Sequence, residues 1–203
     1  MTDAEALDRF EALVLSQQPA SAPWEPVTDY SFETRKEIEG KHPELIRDVF
    51  RPNFVLDYGA GFGHLVRLLR ALNVNVWGYE PHVDMHRESW PNLYGAHIAN
   101  DFDLVICREV LEHCTIREIR KVVAFLCGVS TRFVYVTTRL NLAPRHMLDV
   151  MTSDDLDPTH ISMLSPTLLR TLFVLEGFKR RADLETAMDW MKKGRCLVYE
   201  RAA

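Results

Sequence analysis

The 203-residue sequence predicts an α/β fold: one doubly wound sheet of seven mostly parallel strands, with an antiparallel last strand. Three observations predict it. Short apolar runs alternate with stretches of helical spacing along most of the chain. The first run leads through a glycine-rich turn into a helix, as in a βα unit. The last two runs lie close together, joined by a connection containing Lys193 and Gly194, which favours antiparallel pairing.

Seven apolar runs are the predicted strands, and most of the stretches between them are the predicted helices. The strands are 54–57, 74–80, 93–98, 103–107, 133–138, 178–184 and 196–199. The helices are 3–15, 32–50 with a break near Gly40 and Pro43, 64–72, a short one after Pro81, 115–126 and 166–176. Ser165 caps the last of these helices, with Pro166 at its first position.

The bulk composition is that of a soluble globular protein. The chain is 47% hydrophobic and 26% charged, and its net charge of −5 predicts no general attraction to nucleic acid. The four cysteines show no C-x-x-C spacing, which favours free thiols in a reducing compartment. Neither a signal peptide nor an apolar stretch of about 20 residues is visible. We therefore expect a cytoplasmic protein that does not span a membrane.

The most informative stretch is the turn after the first strand, which contains Asp57 and then Gly59, Gly61 and Gly63 at alternate positions. Glycine permits a positive φ and has no Cβ to hold a ligand away, so backbone there can touch a nucleotide-like ligand. Glu80 ends the second strand about 20 residues further on, the spacing at which a carboxylate can bind ribose hydroxyls. The pattern therefore predicts a nucleotide-like ligand at the tip of the first strand.

Asp57 indicates which kind of nucleotide binds. The dinucleotide fingerprint is G-x-G-x-x-G, whereas these glycines are spaced G-x-G-x-G. A carboxylate beside a helix N-terminus repels a pyrophosphate, but it favours a ligand that carries an amino group or a sulfonium. The motif therefore points away from NAD and towards S-adenosylmethionine (SAM).

Over roughly residues 50–180 the sequence resembles the class I SAM-dependent methyltransferases. The matching blocks are the acid and glycines at 57–63, Glu80, 102–107 with 109–113, His160, and 177–178. The resemblance implies a Rossmann-like methyltransferase fold, with 51–203 as the SAM-binding core and 1–50 as a helical cap and strap of the same domain. It also implies which residues bind the cofactor. The methionine part lies against Asp57, Gly59, Gly61 and Gly63, the ribose against Glu80, and Glu109 is a further contact.

A second group of polar residues, Glu109, Glu112 and His113, follows the fourth strand as E-x-x-E-H. His160 falls in the loop after the fifth strand, at the same carboxyl edge of the sheet. If 109–113 form a helical turn, Glu109 shares a face with Glu112 or His113. The two carboxylates and two imidazoles can then hold one divalent cation.

This set is similar to the metal site of the small-RNA 3′-terminal 2′-O-methyltransferases, which would make Glu109, Glu112, His113 and His160 the metal ligands. In many small-molecule methyltransferases a segment of this kind holds no metal, and instead packs the cofactor and lines the acceptor pocket. A purely structural, capping role is the third interpretation of the segment.

The expected function is transfer of a methyl group from SAM to an oxygen or nitrogen of a small-molecule acceptor by direct in-line displacement. His160 and His113 are the candidate catalytic residues, since an imidazole can take the proton of a hydroxyl acceptor at neutral pH. Two alternatives stay open. One is a metal-assisted 2′-O-methyltransferase acting on RNA or a sugar hydroxyl, and the other is a SAM-binding module without turnover.

Three further assignments complete the predicted site. Asn100 or Asp101 is the candidate for contact with adenine. The loop 139–161, which contains several apolar residues, is expected to shape the acceptor site. The segment around Trp24, Tyr30 and Phe32 is expected to close over that site as a lid.

Overall fold

The structure is a computed structural model that describes residues 32–80, 102–142, 150–151 and 159–202, together with Glu5, Asp8, Arg9 and Ala12. The four isolated residues are helical, in agreement with the helix predicted over 3–15. The predicted strand 93–98 and the helix predicted after Pro81 lie outside the described residues. None of the described helices combines the length and the apolar character that crossing a lipid bilayer requires.

The strands form one large sheet and one small one. In chain order they are β1 (Val55–Tyr58), β2 (Val76–Tyr79), β3 (Phe102–Arg108), β4 (Ser130–Thr137), β5 (Val150–Met151), β6 (Met163–Leu164), β7 (Phe178–Arg180) and β8 (Cys196–Arg201). Six of them form a sheet in the order β2-β1-β3-β4-β8-β7, and β5 pairs with β6. The strands β1 to β4 are parallel, whereas β8 is antiparallel to both β4 and β7. The predicted α/β class with an antiparallel last strand is confirmed.

Helices cover both faces of the large sheet. They are α1 (Phe32–Glu39), α2 (His42–Phe50), α3 (His64–Ala71), α4 (Ile116–Val129), α5 (Pro166–Leu175) and α6 (Ala182–Met188). On one face, α2 packs against α3 and α6, and α1 packs against α3. On the other face, α4 packs against α5. The sheet is therefore doubly wound, as predicted.

Two apolar cores lie on the two faces, because successive strand residues point to opposite sides. The core under α2, α3 and α6 includes the buried residues Ile46, Phe50, Val55, Leu65, Leu69, Ile106, Tyr135, Met188 and Val198. The core under α4 and α5 includes Leu56, Val105, Ile119, Val123, Val134, Leu169, Phe173 and Tyr199. Helix α2, which belongs to the predicted cap, is thus built directly into the packing of the sheet.

The parallel register determines which residues meet at the carboxyl edge. Asp57 of β1 is aligned with Ile106 of β3, and Arg108, the last residue of β3, is aligned with Thr137 of β4. The chain therefore leaves β1, β2, β3 and β4 on the same edge. The glycine turn, Glu80, the segment 109–113 and Thr138 all follow these strand ends.

Local signals explain where two helices begin. Thr115 and Glu118 form a capping box at the start of α4, in which the Thr115 amide donates to Glu118 Oε2 at 2.7 Å. Ser165 caps α5 as predicted, since its hydroxyl oxygen accepts a 3.0 Å hydrogen bond from the Leu168 amide. The break predicted within 32–50 is also confirmed, because Gly40 has a φ of 53° between α1 and α2.

The strand predicted over 178–184 is wrong in its second half. The strand β7 ends at Arg180, and Ala182–Met188 is the helix α6. Asp183 and Glu185 lie in the first turn of this helix, where negative charge is favourable, and Met188 buries its side chain against the sheet. Glu185 also accepts hydrogen bonds from Arg180 at 2.5 to 3.0 Å, which ties the helix to the preceding strand.

Candidate functional site

The turn after β1 has the backbone that its glycines predict. Gly59, Gly61 and Gly63 have φ values of 75°, 53° and 73°. The amides of Gly59 and Ala60 donate to the Tyr79 carbonyl oxygen at 2.7 and 3.1 Å, which holds the turn against the end of β2. A Cβ on Gly59 would come within 2.4 Å of Cγ2 of Val110. Gly59 is therefore required both by its φ and by this close approach.

Glu80 lies in contact with the glycine turn. Its Oε2 accepts a 2.9 Å hydrogen bond from the amide of Gly61, and the residue is only 5% exposed. The structure thus joins the two parts of the predicted nucleotide site, the glycines after β1 and the acid after β2. Glu80 and the glycine turn are close in space because β1 and β2 are parallel neighbours and end at the same edge of the sheet.

Asp57 is a buried carboxyl at the tip of β1, with 4% of its surface exposed. Burial raises its pKa to about 7; the Arg108 guanidinium opposes that shift, and the charges of Glu39 and Glu80 add to it. Carboxyl groups therefore crowd this edge of the sheet, with Arg108 as the opposing cation. A ligand that brings positive charge is favoured there over a phosphate.

A buried polar network lies beside Asp57 that the sequence did not predict. Nη1 of Arg108 donates a 2.8 Å hydrogen bond to Oε2 of Glu39, the last residue of α1. Nδ1 of His42 lies 3.3 Å from the same oxygen, and its Nε2 lies 2.8 Å from the hydroxyl of Tyr135. The network connects the N-terminal helices to the end of β3.

Low pKa values of both Glu39 and His42 follow from this network. Burial alone would raise the pKa of Glu39, but the charge of Arg108 and the hydrogen bonds from His42 and Arg108 outweigh it, so the pKa falls to about 2. Burial, together with the charge of Arg108, lowers the pKa of His42 to about 4. Glu39 is therefore ionised and His42 neutral near pH 7.

The segment 109–113 does not form one continuous helical turn. Only Leu111–His113 form a 3₁₀ turn, whereas Glu109 has a φ of 51° and is exposed. The Glu109 amide donates to the Thr137 carbonyl at 2.8 Å, so the chain continues the hydrogen bonding of the sheet before it turns. Glu109 consequently does not share a helical face with Glu112 and His113.

Three of the four predicted metal ligands do come together. Glu112, His113 and His160 each offer a ligand atom, and these atoms lie within 4.8 Å of one another. The amides of Ile161 and Ser162 donate to the Glu112 carbonyl oxygen at 2.8 and 3.1 Å, which brings the loop with His160 against the 3₁₀ turn. Glu109 is not among these three residues, although its charge acts on Glu112, and its role as a metal ligand stays a prediction.

Glu112 is the fully buried member of the cluster. Its Oε2 accepts a 2.7 Å hydrogen bond from the Thr138 hydroxyl, while its Oε1 is buried without a hydrogen-bond partner. Burial and the nearby charge of Glu109 raise the pKa of Glu112 well above its usual value. Thr138 was missed by the sequence analysis, although it ends the predicted strand 133–138.

The two histidines of the cluster lie beside each other, with ring centroids 4.8 Å apart. Nδ1 of His113 lies 3.2 Å from the Thr159 carbonyl oxygen and 2.9 Å from its hydroxyl. A carbonyl oxygen can only accept, so this contact favours the tautomer of His113 with its proton on Nδ1. Its Nε2 then carries the lone pair that could take a proton or bind a metal.

Several predicted site residues lie outside the described residues. These are Asn100 and Asp101, Trp24 and Tyr30, and most of the loop 139–161, of which the structure describes 139–142, 150–151 and 159–161. Phe32 belongs to α1, but its side chain is not described. The adenine contact, the lid and the acceptor loop therefore stay predictions.

Several solved structures of methyltransferases share this fold. An amino pentose methyltransferase from Micromonospora echinaspora with bound SAM is 18% identical, with a TM-score of 0.57 over 88% of this chain and 100% of the other. Magnesium protoporphyrin IX methyltransferase from Synechocystis, also with bound SAM, is 16% identical, with a TM-score of 0.54 over 86% of each chain. Human N-acetylserotonin methyltransferase is 14% identical, with a TM-score of 0.52 over 85% of this chain and 55% of the other. At these identities the likeness shows a shared fold.

Among curated proteins, no sequence relative matches this chain significantly. The sequence profile of a family described as "Methyltransferase domain" matches residues 33–182, which is well over half of the chain. This match confirms the predicted resemblance to class I SAM-dependent methyltransferases and the predicted enzyme class. The chain belongs to the methyltransferase domain family.

Proposed function

We propose that this methyltransferase moves a methyl group from SAM to an oxygen or nitrogen of a small-molecule acceptor by direct in-line displacement. The observation that supports this most is the tip of β1, where the buried Asp57 carboxyl precedes a turn with three glycines at positive φ. A cationic ligand with a nucleoside part suits this place, because it brings positive charge to Asp57 and hydroxyls to Glu80.

Different residues at the tip of β1 bind different parts of the ligand. Asp57 and the glycine turn hold the amino-acid part of SAM, since side chains are absent from Gly59, Gly61 and Gly63. Glu80 holds the ribose, because a carboxylate accepts hydrogen bonds from hydroxyls and this one is fixed against the turn by its hydrogen bond from the Gly61 amide. Glu109, exposed directly after β3, is the further cofactor contact of this proposal.

When bound, SAM supplies a methyl group that is already activated by its positively charged sulfur. The chain must hold the acceptor in line with the carbon–sulfur bond and exclude water, and such orientation accounts for about 7–11 kcal/mol of barrier lowering. Methyl transfer to a hydroxyl or amine acceptor would release a proton, which a base of the chain would take up. His160 and His113 are the proposed bases, since the nitrogen lone pair of a neutral imidazole can accept that proton.

A small acceptor fits the charge of the chain and its structural neighbours. With a net charge of −5, the protein does not attract a polyanion in general. The similar methyltransferases are named for magnesium protoporphyrin IX, an amino pentose and N-acetylserotonin, all of which are small molecules. A reducing, cytoplasmic setting is part of the proposal, because all four cysteines are free thiols.

The test is calorimetry with SAM and with its demethylated product, S-adenosylhomocysteine, followed by transfer of a labelled methyl group to candidate acceptors. Asp57→Ala should abolish binding of both ligands while the circular dichroism spectrum stays that of the parent protein. Asp48→Ala is the matched control, because Asp48 is an exposed carboxyl on α2 that pairs with its neighbour Arg47. If neither ligand gives heat with well-folded parent protein, the proposal is wrong. Binding without turnover on any acceptor would favour a SAM-binding module instead.

A second candidate function rests on the cluster of Glu112, His113 and His160. Two imidazoles and a carboxylate with ligand atoms within 4.8 Å suit Zn²⁺, Mn²⁺ or Fe²⁺, and the unpartnered Oε1 of Glu112 offers a ready ligand atom. A cation there would orient the hydroxyls of a ribose or another sugar, so the enzyme would be a metal-assisted 2′-O-methyltransferase acting on RNA or a sugar.

This alternative predicts that chelation removes activity. Elemental analysis of the purified protein, activity in the presence of EDTA, and calorimetry with Mn²⁺ and Zn²⁺ test it directly. Glu112→Gln should lose the cation, whereas Glu44→Gln should keep it, because Glu44 is an exposed carboxyl on α2. His160→Ala provides a second variant that does not change a buried residue. Full activity in EDTA, with no metal found, contradicts the metal-assisted function and leaves the small-molecule proposal intact.

A further inference from the structure

Asp57 and Arg108 lie on the same face of neighbouring strands. Val55 and Asp57 of β1, and Ile106 and Arg108 of β3, alternate with residues that point to the opposite core. Because Asp57 is aligned with Ile106, Arg108 is its diagonal neighbour, one step further towards the carboxyl edge. Neighbouring strands lie about 4.7–4.9 Å apart, so the long side chain of Arg108 is within reach of the Asp57 carboxyl.

Glu39 holds the Arg108 side chain in place from the other side. The hydrogen bond from Nη1 of Arg108 to Oε2 of Glu39 is 2.8 Å long, and Glu39 is 6% exposed. His42 contacts the same oxygen, so the carboxylate of Glu39 is itself fixed. Nε of Arg108 is buried and has no hydrogen-bond partner, so part of the guanidinium's hydrogen-bonding capacity is unused by this network.

We propose that Arg108 is a positioning residue of the SAM site: anchored to Glu39 on α1, its guanidinium supplies the positive charge that favours the carboxylate form of Asp57, which receives the ammonium group of the ligand. The inference rests on the proposed function, in which Asp57 binds the amino-acid part of SAM. It goes further by making the ion pair between α1 and β3 a determinant of cofactor affinity.

The electrostatics of Asp57 agree with this geometry. Besides burial, the groups that act on it are Arg108 on β3, Glu39 on α1 and Glu80 after β2. Arg108 lowers the pKa of Asp57, whereas both glutamates raise it. Arg108 is thus the one cation among these groups, and it opposes the effects of burial and of the two like charges without cancelling them. Removal of the Arg108 charge must therefore raise the pKa of Asp57, and removal of the Glu39 charge must lower it.

The experiment measures the affinity for S-adenosylhomocysteine by calorimetry from about pH 5 to about pH 9, around the titration range of a shifted carboxyl. In the parent protein, affinity falls on the acidic side as Asp57 takes up a proton. Arg108→Gln should move the midpoint of that fall upward by about 1–3 pH units, the usual effect of a nearby opposite charge. Glu39→Gln keeps hydrogen-bonding capacity towards Arg108 but removes the like charge, so it should move the midpoint downward. Asp57→Asn cannot ionise at this position, so its affinity should not show the fall on the acidic side. This result would identify Asp57 as the group that titrates.

Two results would overturn the proposal. One is an Arg108→Gln variant whose affinity is reduced equally at every pH, as expected if the residue only supports the fold. The other is a Glu39→Gln variant whose midpoint stays at the parent value, and this variant decides the matter if Arg108→Gln does not fold. Arg108→Lys should restore most of the parent profile, because it restores the charge. If the parent protein gives no heat with S-adenosylhomocysteine, the proposed SAM site itself is wrong. That failure differs from the two results above, in which the parent protein binds the ligand.

Discussion

Cγ2 of Val110 lies over the backbone of Gly59, where an added Cβ would be only 2.4 Å away. Gly59→Ala should therefore destabilise the protein and lower its affinity for S-adenosylhomocysteine at least tenfold. The left-handed φ of 75° alone costs about 1–2 kcal/mol for a residue with a Cβ, and the clash adds to it. Thermal unfolding and calorimetry measure the two effects.

Gly128 provides the matched control for this change. It lies in α4, and a Cβ there would meet nothing within 4 Å. Gly128→Ala should stabilise the protein by about 0.5–1 kcal/mol, because alanine is the better helix former. Equal effects of the two substitutions would contradict the close approach of Val110 to the turn.

The buried Asp57 carboxyl should make stability depend on pH. Its pKa is raised from 3.8 in an exposed setting to about 7, so the folded protein holds a proton that the unfolded chain has released. The free energy of unfolding should therefore fall as the pH rises from about 4 to about 7, by an amount on the order of a few kcal/mol. Asp57→Asn should remove that part of the slope and be more stable than the parent near pH 8. Urea unfolding at several pH values measures it, and parallel curves for the two proteins would refute the assignment.

Two buried tyrosines should respond oppositely to loss of their hydroxyl. The Tyr135 hydroxyl lies 2.8 Å from Nε2 of His42, whereas the Tyr199 hydroxyl is buried without a hydrogen-bond partner. Tyr135→Phe should cost about 1–2 kcal/mol, because it leaves the His42 nitrogen unpaired. Tyr199→Phe should be neutral or stabilising, since it removes an unsatisfied polar group. Denaturant unfolding of both variants compares them, and a larger loss for Tyr199→Phe would speak against this network.

Two threonines of different helices should also behave oppositely. Thr115 is the N-cap of α4, whereas Thr186 lies exposed inside α6 and its hydroxyl donates to the Ala182 carbonyl oxygen at 3.0 Å. Thr115→Ala should cost about 1 kcal/mol through loss of the cap. Thr186→Ala should stabilise by a few tenths of a kcal/mol, because alanine has the higher helix propensity. The sign of each change in the melting temperature is the decisive result.

The parts of the site that are local in sequence could be predicted. The spacing of Gly59, Gly61 and Gly63 indicates a turn with positive φ because few other residues adopt it without strain. Asp57 and Glu80 are acids that end apolar runs, and the parallel pairing of those runs brings them to one edge. Ser165 before Pro166 marks the start of α5 in the same local way.

The parts that depend on distant pairing could not be predicted. Glu39 and Arg108 are 69 residues apart, and Glu112 and Thr138 are 26 apart, so no spacing rule connects them. Glu109 has a left-handed backbone although it is not a glycine, and a glutamate in the sequence gives no sign of that conformation. The predicted strand 178–184 includes the first residues of α6, because β7 is only three residues long and leads directly into that helix.

The place of β8 in the sheet has a consequence for biosynthesis. Although β8 comes last among the described strands, it lies between β4 and β7, and Arg201 at its end donates to the carbonyls of Cys127 and Ser130. A ribosome delivers residues 196–201 after the other strands of this sheet, so β4 presents an unpaired edge to solvent or to a chaperone until then. Completion of the sheet therefore waits for translation of β8, and nascent chains that stall before it are exposed to edge-to-edge association.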